Sequence, residues 1–149
     1  MSVTTTSWST AALLANGTVL VVGGQQTYQP GGALNTTEIY DPSKDVPHAP
    51  VGTAWTAGPV MNVGHCRHTM TVLQNGLILI AGGRCGSSES IKVAELYDQA
   101  SNTWHMAASM NDARGFHVAA LMRDGRVLVA GGFVPGGAIT ATVEVYTPA

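Results

Sequence analysis

Charge is scarce in this sequence. Only 11% of its 149 residues are Asp, Glu, Lys or Arg, and the formal net charge is -2. The seven Lys and Arg are scattered singly, so there is no basic stripe to neutralise phosphates. Nucleic acid and anionic membrane are excluded as expected partners. Long apolar runs are missing too: none reaches the roughly 18 residues that a bilayer-spanning helix needs. Residues 1–6 have neither a basic start nor an apolar stretch, so no export signal is read there. Two cysteines, Cys66 and Cys85, are too few for a scaffold that depends on disulfides. Helical periodicity is absent throughout, which argues against a bundle.

What the chain does have is 45% apolar residues and 18 glycines. That excludes a solvated, disordered chain and suits short β-strands joined by glycine-dependent turns. The landmarks recur. Asn16-Gly17, Asn75-Gly76 and Asp124-Gly125 are each followed at one distance by a diglycine, Gly23-Gly24, Gly82-Gly83 and Gly131-Gly132. Then come Glu38-Ile39-Tyr40, Glu95-Leu96-Tyr97 and Glu144-Val145-Tyr146, with Trp55 and Trp104 after the first two. The turn pairs supply positive φ for tight hairpins. Apolar runs such as Leu77-Ile78-Leu79-Ile80-Ala81 read as strands buried on both faces. Paired glycines let another backbone approach closely, while Tyr40, Tyr97, Tyr146, Trp55 and Trp104 fill the space between sheets.

The expected fold is therefore all-β: three antiparallel units, each a hairpin, a Glu-x-Tyr strand and a Trp strand, with the third lacking its outer strand. The pattern resembles the kelch repeat family, in the bacterial form also found in galactose oxidase-like propellers. It is carried by the run from His68 through Asn75-Gly76 to Gly83, by Ala94-Glu95-Leu96-Tyr97-Asp98, and by Ala113-Arg114-Gly115-Phe116-His117. The resemblance implies a single domain over residues 1–149. Its β-propeller blades would span about 8–59, 65–109 and 114–149.

Three blades do not close a ring of four to eight. The preferred reading is that a second copy, or further blades, completes it; a free three-blade monomer is the remaining alternative. The expected function is a non-catalytic module for protein or glycan binding or for structural assembly, with no cofactor. Its alternative is a relative of galactose oxidase-like copper radical oxidases. Phe116 stands where such enzymes carry their crosslinked copper-ligand tyrosine, so the oxygen that would bind copper is missing.

The loops that vary between units are residues 25–36, 84–92 and 133–142, and binding is expected there. Gln25, Tyr28, Arg84, Glu89, Lys92 and Phe133 are the candidate contacts. Residues 42–54 form an insertion expected to cover the outer edge of blade one. A two-residue turn at Asn75-Gly76 would place Cys66 opposite Cys85, whereas a three-residue loop with a bulge would shift the pairing by one. A cross-strand disulfide and two reduced thiols both remain open, and a bridge would favour an extracellular setting over the cytoplasm. His65, Cys66, His68 and Cys85 are the only metal-capable cluster, and strand alternation lets at most three converge, so no metal site is expected. His68 and His117 share a repeat position and are expected to hydrogen-bond within the inner strands. Glu38, Glu95 and Glu144 recur once per unit, so they are read as capping backbone or neighbour-blade donors rather than as paired catalytic acids.

Overall fold

The structure is a computed structural model that describes residues 7–26, 32–48, 50, 52–85 and 89–148. Among these, strands form three sheets in sequence order, all antiparallel. Blade one holds β1 (Thr10–Leu13), β2 (Val19–Val22), β3 (Thr37–Tyr40) and β4 (Trp55–Ala57). Blade two holds β5 (Thr69–Val72), β6 (Ile78–Cys85), β7 (Glu89–Asp98) and β8 (Thr103–Met106). Blade three has three strands, β9 (Val118–Leu121), β10 (Val127–Ala130) and β11 (Val143–Tyr146). No α-helix occurs among the described residues, and no described helix is long and apolar enough to cross a membrane.

Of the two turn lengths left open by the sequence, the hairpins take the three-residue loop, which shifts the register by one. In blade two Leu73 N–H donates to Leu77 O at 2.8 Å and Gly76 N–H to Leu73 O at 3.0 Å, enclosing a three-residue loop. The loop is a turn followed by a glycine in the left-handed region, Gly76 at φ 84°. The Asn75 side chain accepts from Leu77 N–H at 3.1 Å, and Asn16 and Asp124 do the same in their own units. Thr69 consequently pairs with Ala81 and Met70 with Ile80. That register, carried back along the hairpin, places Cys66 opposite Arg84 rather than Cys85, and Arg84 N–H donates to Cys66 O at 2.8 Å. Residues 84–92, expected as a loop, are also largely strand, because β6 runs on to Cys85 and β7 begins at Glu89. A register shift between Ala81 and Gly83 lets this pair extend past the diglycine. The insertion after Pro42 lies within the β3–β4 connection, closed by Asp41 N–H to Ala54 O.

Blades pack face to face. Ala12, Leu14, Leu20 and Val22 of blade one meet Ile78, Ile80, Tyr97 and Trp104 of blade two. The opposite face of blade two, with Leu73, Leu79, Ala81 and Ala94, meets Val127 and Val129 of blade three. The three second strands have similar apolar sequences but different burial. Residues 78–81 are all buried, whereas in β2 and β10 burial alternates. The reason is position: β6 has a blade on each side, and β2 and β10 have one.

Candidate functional site

Each blade is entered through a short segment that leads onto its innermost strand: Ser7-Trp8-Ser9, Cys66-Arg67-His68 and Gly115-Phe116-His117. The middle residue of each adopts a left-handed conformation, Trp8 at φ 62°, Arg67 at 53° and Phe116 at 55°. For bulky side chains this is strained and uncommon. It is held by a backbone ladder from blade to blade, Arg67 N–H to Trp8 O at 3.2 Å and Phe116 N–H to Arg67 O at 3.1 Å.

The three side chains stack as a result. The Arg67 guanidinium lies 3.7 Å from the Trp8 ring centroid and 4.7 Å from that of Phe116. Phe116 meets Phe133 edge to face at 5.7 Å, and the Arg84 guanidinium lies 5.4 Å from Phe133. Aromatic and guanidinium groups thus line one shelf, with Phe116 half exposed. Such a surface offers ring faces for stacking.

Beneath the shelf the polar groups tie blades together. Each inner-strand histidine reaches the preceding blade: His68 Nε2 is 2.6 Å from Thr10 Oγ1, and His117 Nε2 is 2.9 Å from Thr69 Oγ1. Burial, helped by the nearby His65 and His117, pushes His68 down to about 3. Burial and the Arg114 charge take His117 to about 4, so both rings are neutral at pH 7. The recurrent glutamates cap the linkers between blades. Glu95 accepts from Asn62 N–H at 2.9 Å, Val63 N–H at 2.8 Å and Asn62 Nδ2 at 2.7 Å. Glu144 does the same for the Asn111 and Asp112 amides. Burial pushes the Glu95 carboxyl up, but its donors outweigh that and hold it below the usual range. A basic side chain completes each cap, in a shared repeat position: His65 3.4 Å from Glu95, and the fully buried Arg114 2.8 Å from Glu144.

Of the six expected contacts, the structure brings Arg84 and Phe133 together on the shelf. Gln25 is only 2% exposed and its backbone pairs with Ser7, so its side chain is not offered to a partner. Glu89 and Lys92 are exposed and lie three apart on β7, on either side of the start of its register shift. Tyr28 lies outside the described residues. Sequence reasoning missed Trp8 and Arg67 as shelf residues and read Phe116 only for the oxygen it lacks. The available signal was their shared repeat position, three different large side chains just before each first strand.

Cys66 is fully buried and disulfide-bonded, although the register does not set it opposite Cys85. The side chain of Cys85, the one other cysteine, lies outside the described residues. A copper centre does not fit the residues present. Phe116 is a stacked phenyl ring, His68 and His117 are engaged by threonine hydroxyls, and no three metal-capable side chains converge among the described residues.

Sheets of this topology, packed face to face with a linker cap at each junction, are propeller-type blades. Residues 65–111, blade two with its flanking linkers, match the Kelch motif. The chain carries a kelch repeat. No curated protein matches its sequence.

Proposed function

We propose that the chain is a non-catalytic kelch module that works by binding protein, and that a second copy covers its two open blade faces. Repeats of this kind commonly mediate protein interactions. The observation that carries the reading is the third diglycine. At the two internal junctions the second glycine donates to the entry segment of the next blade, Gly24 N–H to His65 O and Gly83 N–H to Arg114 O, each at 2.8 Å. Gly132 N–H has no acceptor among the described residues. The first glycine tells the same story. A Cβ would lie 2.3 Å from His65 O at Gly23 and 2.6 Å from Arg114 O at Gly82, but at Gly131 the nearest atom is 3.7 Å away. The diglycine of blade three thus leaves room for a neighbour's backbone.

The side chains favour a second copy as that neighbour. Where internal junctions pair a threonine with a histidine, the open ends carry Val118 and Ser9. Head-to-tail closure therefore leaves no histidine without its hydroxyl. Leu13 on blade one is 69% exposed and Val118 on blade three 66%, both on the faces to be covered. Apolar faces of this kind normally mark an interface. In the closed particle the Trp8–Arg67–Phe116 shelf would continue around the axis as the surface for a protein or glycan ligand.

Light scattering at micromolar concentration tests this. A mass of twice 15.4 kDa is expected, falling to the single-chain value in Val118→Lys. A folded wild-type monomer would overturn self-closure.

A further inference from the structure

We infer that the groove between the first hairpin turn of blade one and the β7–β8 turn of blade two binds a uronate unit of an acidic polysaccharide. A cavity of about 300 Å³ opens there, at the other end of β1 from the Trp8–Arg67–Phe116 shelf. That is the lower end of the range for small-ligand sites. Leu14, Ile39 and the buried Tyr97 give it an apolar lining. Asn16, Gln99, Asn102 and Lys44 supply most of the polar one.

Each of the three carboxamides spends its oxygen inside the fold. Asn16 Oδ1 accepts from Thr18 N–H at 3.0 Å and from the Thr18 hydroxyl at 2.7 Å. Gln99 Oε1 accepts from Ala15 N–H at 3.2 Å, across the junction between the blades. Asn102 Oδ1 accepts from the Tyr97 hydroxyl at 2.9 Å. None of the three amide nitrogens has a partner among the described residues, so each keeps its N–H donors for the groove.

Lys44 adds a charge. It ends the short 3-10 turn Pro42–Lys44, inside the insertion that blade one alone carries. Asp41 caps that turn. One of its oxygens accepts from the Ser43 amide at 3.0 Å and hydroxyl at 2.6 Å, and the other pairs with Lys44 at 3.2 Å. The one carboxylate lining the groove is thus engaged by its own turn, while the ammonium has N–H groups to spare.

The lining is therefore rich in donors and poor in free acceptors. A neutral hydroxyl brings a proton that needs an oxygen, whereas a carboxylate only accepts, and it accepts more strongly. The apolar lining suits the C–H face of a sugar ring, and the groove opens to solvent, so a unit within a chain can enter.

This arrangement is not repeated at the next junction. Leu77 stands in the position of Thr18 and Pro148 in that of Gln99. The Gln74 amide nitrogen there is consumed by Arg123 O at 3.1 Å. Side chains that differ between otherwise like units are where binding is expected.

The probes are a glucuronate trimer and cellotriose, which differ in carboxylate against hydroxymethyl, followed by calorimetry and by the side-chain amide NMR signals. The uronate should bind about ten-fold more tightly than cellotriose, shifting the amide signals of Asn16, Gln99 and Asn102. Asn16→Asp keeps the oxygen that holds the turn, as Asp124 does in blade three, and replaces the free donor with a negative charge. It should weaken uronate binding about ten-fold with an unchanged far-ultraviolet spectrum. Lys44→Gln, on an exposed side chain, should weaken it by a similar factor. Equal binding of the two trimers, no uronate binding up to millimolar concentration, or full affinity in both variants would overturn the inference. So would amide shifts confined to the shelf, or binding of free glucuronate with exclusion of its trimer. The groove lies between two blades of one chain, so this result and the mass measurement can each fail alone.

Discussion

Lowering the pH from 7.5 to 5 should destabilise the fold by about 4 kcal/mol through two histidines. His68 and His117 titrate near 6.5 in an unfolded chain, but in the fold they are pushed to about 3 and about 4. The direction follows from proton counting. Between those values the unfolded chain binds more protons, so their contribution is full above pH 6.5 and is lost as pH falls towards the folded values. At pH 5 each ring lies about 1.5 units below its unfolded pKa, which at 1.36 kcal/mol per unit is about 2 kcal/mol apiece. Urea unfolding at fixed protein concentration reads this directly. With a slope of roughly 2 kcal/mol/M the midpoint should fall by about 2 M. His68→Gln and His117→Gln should each remove about half of that pH dependence. The Glu95 carboxyl, held below its usual range, adds its own loss only under more acid conditions. A midpoint equal at the two pH values, or full pH dependence surviving in the double variant, would refute the assignment of neutral buried rings.

Three further outcomes are expected. Glu95→Ala should cost about 3 kcal/mol, because it strands two linker amides and a buried His65; denaturant titration beside Glu144→Ala, whose carboxylate is less buried, should rank it the more damaging. Gly82→Ala should be far worse than Gly131→Ala in the same assay, since both glycines have positive φ but only Gly82 faces a backbone oxygen at 2.6 Å. If Gly131→Ala instead leaves stability intact and halves the particle mass, the open diglycine is an intermolecular contact. Thiol titration of the denatured, unreduced protein should find no free thiol, and Cys66→Ala should cost about 2–4 kcal/mol; two titratable thiols would contradict the bridge.

Sequence alone determined that this chain makes three like units of β-strand. Asn-Gly or Asp-Gly, diglycine and Glu-x-Tyr impose local needs, positive φ, close approach and an aromatic filler, which short segments satisfy wherever they are placed. The glutamates were legible for the same reason: one acid per unit beside a tyrosine reads as a repeated cap, and Glu95 and Glu144 are caps. Tertiary structure decided what periodicity leaves free. Loop length moved the register by one residue, because Asn75-Gly76 fits either a two-residue turn or the last two places of a three-residue one. Trp8, Arg67 and Phe116 share no chemistry in the sequence. They become one stacked shelf only when successive blades set their entry segments side by side. Gln25 and Arg84 follow the same logic in reverse: both adjoin a diglycine, yet one is buried against Ser7 and the other reaches Phe133. Burial of β2, β6 and β10 was likewise indistinguishable in their apolar runs, because exposure depends on whether a neighbouring blade is present and not on the strand itself.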